Sequence, residues 1–83
     1  MEEKGLGSYR KRVTIVYQGF DKKYAVTNIL AEYSDAFTLV DLHIDNKQKT
    51  IASTYMIEGL KKEIGDLLGE FYKNKWCVSV KFE

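Results

Sequence analysis

Cysteine and histidine each occur once in the 83 residues, and neither sign of charge is in excess, with 13 Lys and Arg against 12 Asp and Glu. A lone Cys77 excludes an internal disulfide framework and any cysteine-based zinc site. The balanced charge argues against a dedicated nucleic-acid binder, whose affinity rests on neutralising phosphates. One basic cluster, Arg10-Lys11-Arg12, reads as a solvated lead-in to the first strand. No apolar run approaches the ~20 residues of a membrane span, and "MEEKGLGS" lacks the apolar segment of a signal peptide. The expectation is a soluble cytoplasmic protein, with a loose tail at residues 1–8 and a single domain at 9–83. His43 stands between Asp41 and Asp45 with no further ligands at a recognisable spacing, so no metal or other cofactor is expected. Cys77 has no cationic or histidine motif beside it, which argues against a reactive thiol. Paired carboxylates, a nucleophile–base pair and a phosphate-cradling glycine loop are all missing, so the chain does not read as an enzyme.

What is present is a clean alternation of two periods. "RVTIVY" puts Val13, Ile15 and Tyr17 on one face of a first strand. "DKKYAVTNILAEYSD" changes to helical spacing, with Val26, Ile29, Leu30 and Tyr33 on one face and Asp21 as the expected N-cap. "FTLVDLHID" reads as a second strand, with Thr38, Val40, Leu42 and Ile44 on one face and Phe37, Leu39, Asp41, His43 and Asp45 on the other. "DNKQK" is a hairpin turn, and "KTIAS" a short third strand. "TYMIEGLKKEIGDLLGEFYKN" then predicts a second helix of about 18 residues (~27 Å), capped by Ser53 or Thr54, with Met56, Leu60, Ile64, Leu67, Leu68 and Phe71 on one face. Gly59, Gly65 and Gly69 within it predict close approach of another backbone. "WCVSVKF" is a fourth strand. An uncovered sheet face carrying Phe37, Leu39 and tyrosines would be an apolar patch for a partner or for self-association.

The order β-α-β-β-α-β places two helices on one side of a four-stranded antiparallel sheet. Two topologies share it: the open-faced sandwich of the phosphocarrier protein HPr, and the ferredoxin-like fold. The first sets the fourth strand beside the second, bringing Val78 or Val80 near Val40 or Leu42. The second sets the first strand beside the third, bringing Val13 or Ile15 near Ile51.

At the first strand-to-helix junction, "GFDKKYA" (Gly19 to Ala25) resembles the HPr active-site loop, usually Gly-Leu-His-Ala-Arg-Pro-Ala. "STYMIEGLKKEI" is similar to the Lys-Ser-Ile-Met-Gly-Leu segment that opens the family's second helix, and the resemblance covers Arg10 to Phe82. It implies a two-layer α+β open-faced sandwich. Asp21 stands where the family has its phosphoacceptor histidine, Lys23 replaces the loop arginine, Tyr24 replaces the proline, and the family's third helix is missing. The resemblance therefore implies a degenerate phosphate site at Asp21 and Lys23, with no phosphoryl transfer on histidine. Phe20, Lys22, Met56 and Gly59 would join these in a partner-binding surface. Thr54 would correspond to the regulatory phosphoserine position. The implied function is non-catalytic and regulatory, through a protein partner. The alternative is a ferredoxin-like domain that senses a small ligand or assembles with itself.

Overall fold

A computed structural model describes residues 10–83; the expected tail at 1–8 lies outside them. The elements are β1 (Arg10–Gln18), a 3-10 turn (Phe20–Lys22), α1 (Lys23–Tyr33), β2 (Ser34–Asp45), β3 (Thr50–Leu60), α2 (Ile64–Tyr72) and β4 (Cys77–Phe82). The four strands form one antiparallel sheet in the order β2-β3-β1-β4, and both helices lie on one side of it. The two-layer α+β architecture is thus the expected one.

The strand order departs from the HPr arrangement. β4 pairs with β1, as both topologies require, but not with β2, while β1 also pairs with β3 so that Val13 faces Tyr55, Ile15 faces Ser53 and Tyr17 faces Ile51. This is the pairing that the ferredoxin-like alternative requires. Burial explains it. Val13, Ile15 and Tyr17 on β1, and Ile51, Ser53, Tyr55 and Ile57 on β3, are all buried, and strands so covered belong at the centre of a sheet. β2 carries Asp41, His43 and Asp45 and is exposed from Thr38 onward, as suits an edge.

The core joins those two strands to Val26, Ile29, Leu30 and Tyr33 of α1 and to Leu67 and Phe71 of α2. Edge-to-face contacts between Tyr17 and Trp76 (6.2 Å) and between Phe37 and Tyr55 (5.9 Å) close its two ends. Ser53 Oγ is buried with no hydrogen bond of good geometry. Burial pushes the nearby Tyr17 and Tyr55 phenols above their ordinary range, and proximity to Ser53 only partly opposes this.

Three further expectations are corrected. Asp21 is not an N-cap: it lies inside the 3-10 turn, and Lys22 occupies the cap position of α1 with no side-chain capping bond. The long second helix does not form. Residues 50–60 are strand, and α2 is nine residues long, beginning at Ile64. The stretch Ile51-Ser53-Tyr55-Ile57 has period two as well as period 3.6, and its Thr, Ile and Tyr residues favour a strand. Gly59 adopts φ +74°, a backbone region open to glycine, with Asp35 packed against it. Finally, Gly65 and Gly69 have open space where a Cβ would project, so no backbone approaches them.

β2 also departs from simple alternation. A bulge between Leu39 and Asp41 inserts Val40 as an extra residue. The register puts Phe37 opposite Ile57, Leu39 opposite Tyr55, Leu42 opposite Ser53 and Ile44 opposite Ile51, so all four face the helix side. Asp41 and His43 oppose Thr54 and Ala52 on the open side. The residues expected on opposite faces are thereby regrouped.

Candidate functional site

The Gly19–Lys23 junction is a surface turn. Gly19 takes φ +95°, and its carbonyl accepts the Lys22 N–H at 3.0 Å. Asp21 is exposed and its nearest cation is Lys22, at 3.7 Å. Lys23 is exposed, with its ammonium 5.5 Å from the centre of the Tyr24 ring. Phe20 is 61% and Tyr24 70% exposed. An exposed carboxylate–lysine pair at the surface is weak, and nothing at this turn converges on a bound anion.

The remaining residues of the expected partner surface are scattered. Thr54 lies mid-strand on the open face, its Oγ1 3.0 Å from that of Thr14, so it does not start a helix. Met56 shares that open face, opposite Arg12 and Thr38. Gly59 sits at the far end of β3 from Thr50, the residue that approaches Phe20. Nine strand residues separate those ends by roughly 30 Å. The expected surface of Phe20, Lys22, Met56 and Gly59 is therefore not assembled as one patch.

Other chemistry is sparse. Among the described residues no group of three His, Cys, Asp or Glu side chains could hold a metal ion. Burial pushes the Cys77 thiol up, which lowers its thiolate fraction and its reactivity. A cleft of ≈220 Å³ between the Phe20 turn and the hairpin is lined by Phe20, Ile44, Lys49 and Ile51. That is below the usual 300–1,000 Å³ of small-ligand sites, whereas a second cleft at the hairpin, ≈460 Å³ and lined by His43, Asp45, Asn46 and Lys47, falls within it.

The two sheet edges differ sharply. At the β4 edge, Tyr72 of α2 reaches over: its hydroxyl accepts the Val80 N–H at 3.0 Å and approaches the Val80 carbonyl at 3.4 Å. At the other edge, β2 runs for 12 residues with no described strand beyond it. Leu39, Val40, Leu42 and Ile44 are 46–50% exposed there. The Leu42 N–H donates to the Asp41 carboxylate at 2.9 Å. This bond ties the Leu42 amide to a side chain of β2 itself. At the hairpin tip, the Asp45 carboxylate accepts the Lys47 and Gln48 N–H groups at 2.9 and 3.2 Å, an arrangement that fixes the turn. The exposed edge is the feature that reading residues by strict alternation misses. Its signal is the phase jump in Phe37-x-Leu39-Val40-x-Leu42-x-Ile44, where one extra residue separates two period-two runs.

No family model matches the chain, and no curated protein matches it. Among solved structures, it is similar to the solution structure of the C-terminal domain of the MgtC protein from Mycobacterium tuberculosis. The TM-score is 0.61 at 13% sequence identity, covering 100% of this chain and 92% of that one. At that identity the likeness is one of fold. No helix among the described residues is long and apolar enough to cross a membrane.

Proposed function

We propose that this chain is a non-catalytic, cytoplasmic protein-binding module that acts by accepting an extended polypeptide strand along the free edge of β2. The carrying observation is the contrast between the two edges: one is covered by Tyr72, while the other presents 12 residues with four half-exposed apolar side chains. An unpaired strand edge is a template for another chain, main-chain hydrogen bonds giving affinity and alternate side chains giving selectivity. This reading keeps the non-enzymatic, partner-binding role expected from the HPr resemblance and moves it from the Asp21 turn to β2. It also draws on the assembly branch of the ferredoxin-like alternative. Small-ligand sensing is less well supported, because the cleft beside Phe20 is small and the larger one at the hairpin, ≈460 Å³, is lined mostly by polar residues (His43, Asp45, Asn46, Lys47 and Thr50) and not by the apolar walls usual for such sites.

The test is site-specific photocrosslinking in the cell. A photoreactive residue at Ile44 is expected to capture polypeptide adducts, and one at the comparably exposed Val78 of β4 is not. Equal or absent capture at Ile44 would overturn the reading.

A further inference from the structure

Resting on that strand-addition reading, we infer that the occupant of the β2 edge is a second copy of this chain, paired antiparallel about a two-fold axis at Leu42. A two-fold axis perpendicular to the sheet keeps the helix sides of both copies together, so residue i of one strand meets residue j of the other with i + j constant and even. Side-chain chemistry then selects the register, because an imidazole N–H can donate to a carboxylate. Centring on Leu42 sets Asp41 opposite His43 of the second copy, and His43 opposite its Asp41. Centring on Asp41 opposes that carboxylate to itself. Centring on His43 opposes Asp41 to Asp45 twice and sets histidine on histidine. Centring on Ile44 uses Asp45, whose carboxylate is already held by the turn amides, and carries the rest of the pairing into the turn residues 46–49.

The backbone agrees with the same centre. The Leu42 N–H, now bonded to Asp41, would pass to the Leu42 carbonyl of the other copy, and the reverse bond would form by symmetry. Each Asp41 carboxylate is thereby released toward the opposing His43. Leu39, Leu42 and Ile44 of both copies then merge on the helix side into one apolar cluster, removing from water the side chains that are half-exposed in the monomer. The pairing is short, bounded by the bulge at Val40 and the turn at Asn46, so the dimer belongs to the weak, reversible class.

Light scattering and sedimentation across a wide dilution series test this, together with nuclear Overhauser contacts between labelled and unlabelled copies. The expected result is a monomer–dimer equilibrium with Leu42–Leu42 contacts between copies. His43→Glu opposes like charges twice per dimer and should weaken association about tenfold or more. Adding Asp41→Lys to it should restore association, because each introduced ammonium would then face an introduced carboxylate across the axis. Leu42→Asp sets two carboxylates at the axis and should abolish the dimer while circular dichroism shows the fold intact. A chain monomeric at every concentration, with polypeptide adducts still formed at Ile44 in the cell, would overturn the self-pairing and leave the strand-addition reading standing. A dimer indifferent to His43→Glu, or not restored by the double substitution, would overturn the register. Loss of the Ile44 adducts would overturn both.

Discussion

Replacing Gly69 with alanine should stabilise the protein. Gly69 is the sixth of nine residues of α2 and is solvent-exposed. A Cβ built there meets nothing within 4 Å. Its backbone role, accepting the Lys73 N–H at 3.1 Å, is unchanged by a methyl group. The difference that remains is conformational: glycine in a helix interior costs about 1 kcal/mol relative to alanine, chiefly through the freedom it loses on folding. For a domain of this size that corresponds to a rise in Tm of roughly 4–8 °C. Thermal and urea unfolding followed by circular dichroism would read it. Gly59→Ala is the matched control with the opposite sign. Its φ of +74° is unfavourable to any L-residue by about 1–2 kcal/mol, and the new Cβ would collide with the Asp35 carboxylate. A Gly69→Ala protein no more stable than the parent would show that α2 meets something at that surface, and the open-space reasoning would fail.

Tyr72→Phe removes the hydroxyl that covers Val80, with an expected cost of about 1 kcal/mol and faster amide exchange at Val80; unchanged exchange there would refute the cover. Tyr17 and Tyr55 are neutral phenols held above their ordinary value of 10.0 by burial. Between that value and the higher folded one, the folded state holds more protons than the unfolded state. Their contribution is therefore constant below pH 10 and is lost as pH rises past it. Urea midpoints should fall above pH 10, and less steeply in Tyr55→Phe; a flat profile would contradict the burial.

The sequence carried the helix-facing residues of β1 and of α1 openly, because one period fits each. Val13, Ile15 and Tyr17 fit only a strand, and Val26, Ile29, Leu30 and Tyr33 only a helix. The stretch from Ile51 to Leu60 fits both periods, and local spacing could not decide between them. The decision is tertiary: β1 and the long β2 each need a partner strand, and β3 supplies one residue after another to both. The strand order was equally hidden, since one element sequence serves two topologies. The relative burial of β1 and β2, which separates them, exists only in the assembled sheet. The three glycines mislead for a simpler reason. Glycine spacing does not distinguish a close packing contact, a turn at positive φ such as Gly59, and a helix position such as Gly69 with empty space around it.

The candidate site is least legible where β2 changes phase. Period-two reading past Leu39 assigns Leu42 and Ile44 to the wrong side of the sheet, and the extra Val40 corrects it by one residue. Such bulges, like charges at an edge, are devices that discourage indiscriminate strand pairing, and Asp41 bonded to its neighbour's N–H adds to that protection. Protection and selective pairing nevertheless follow from the same atoms. A strand lacking a hydrogen-bond donor opposite Asp41 would strand a carboxylate at the new junction, and one running past Leu39 would meet the bulge. A second β2 centred on Leu42 avoids the first penalty by offering His43 and confines its regular pairing to the segment beyond the second. On the self-pairing proposal, the features that discourage most strands at this edge are met by its own sequence, through His43 opposite Asp41.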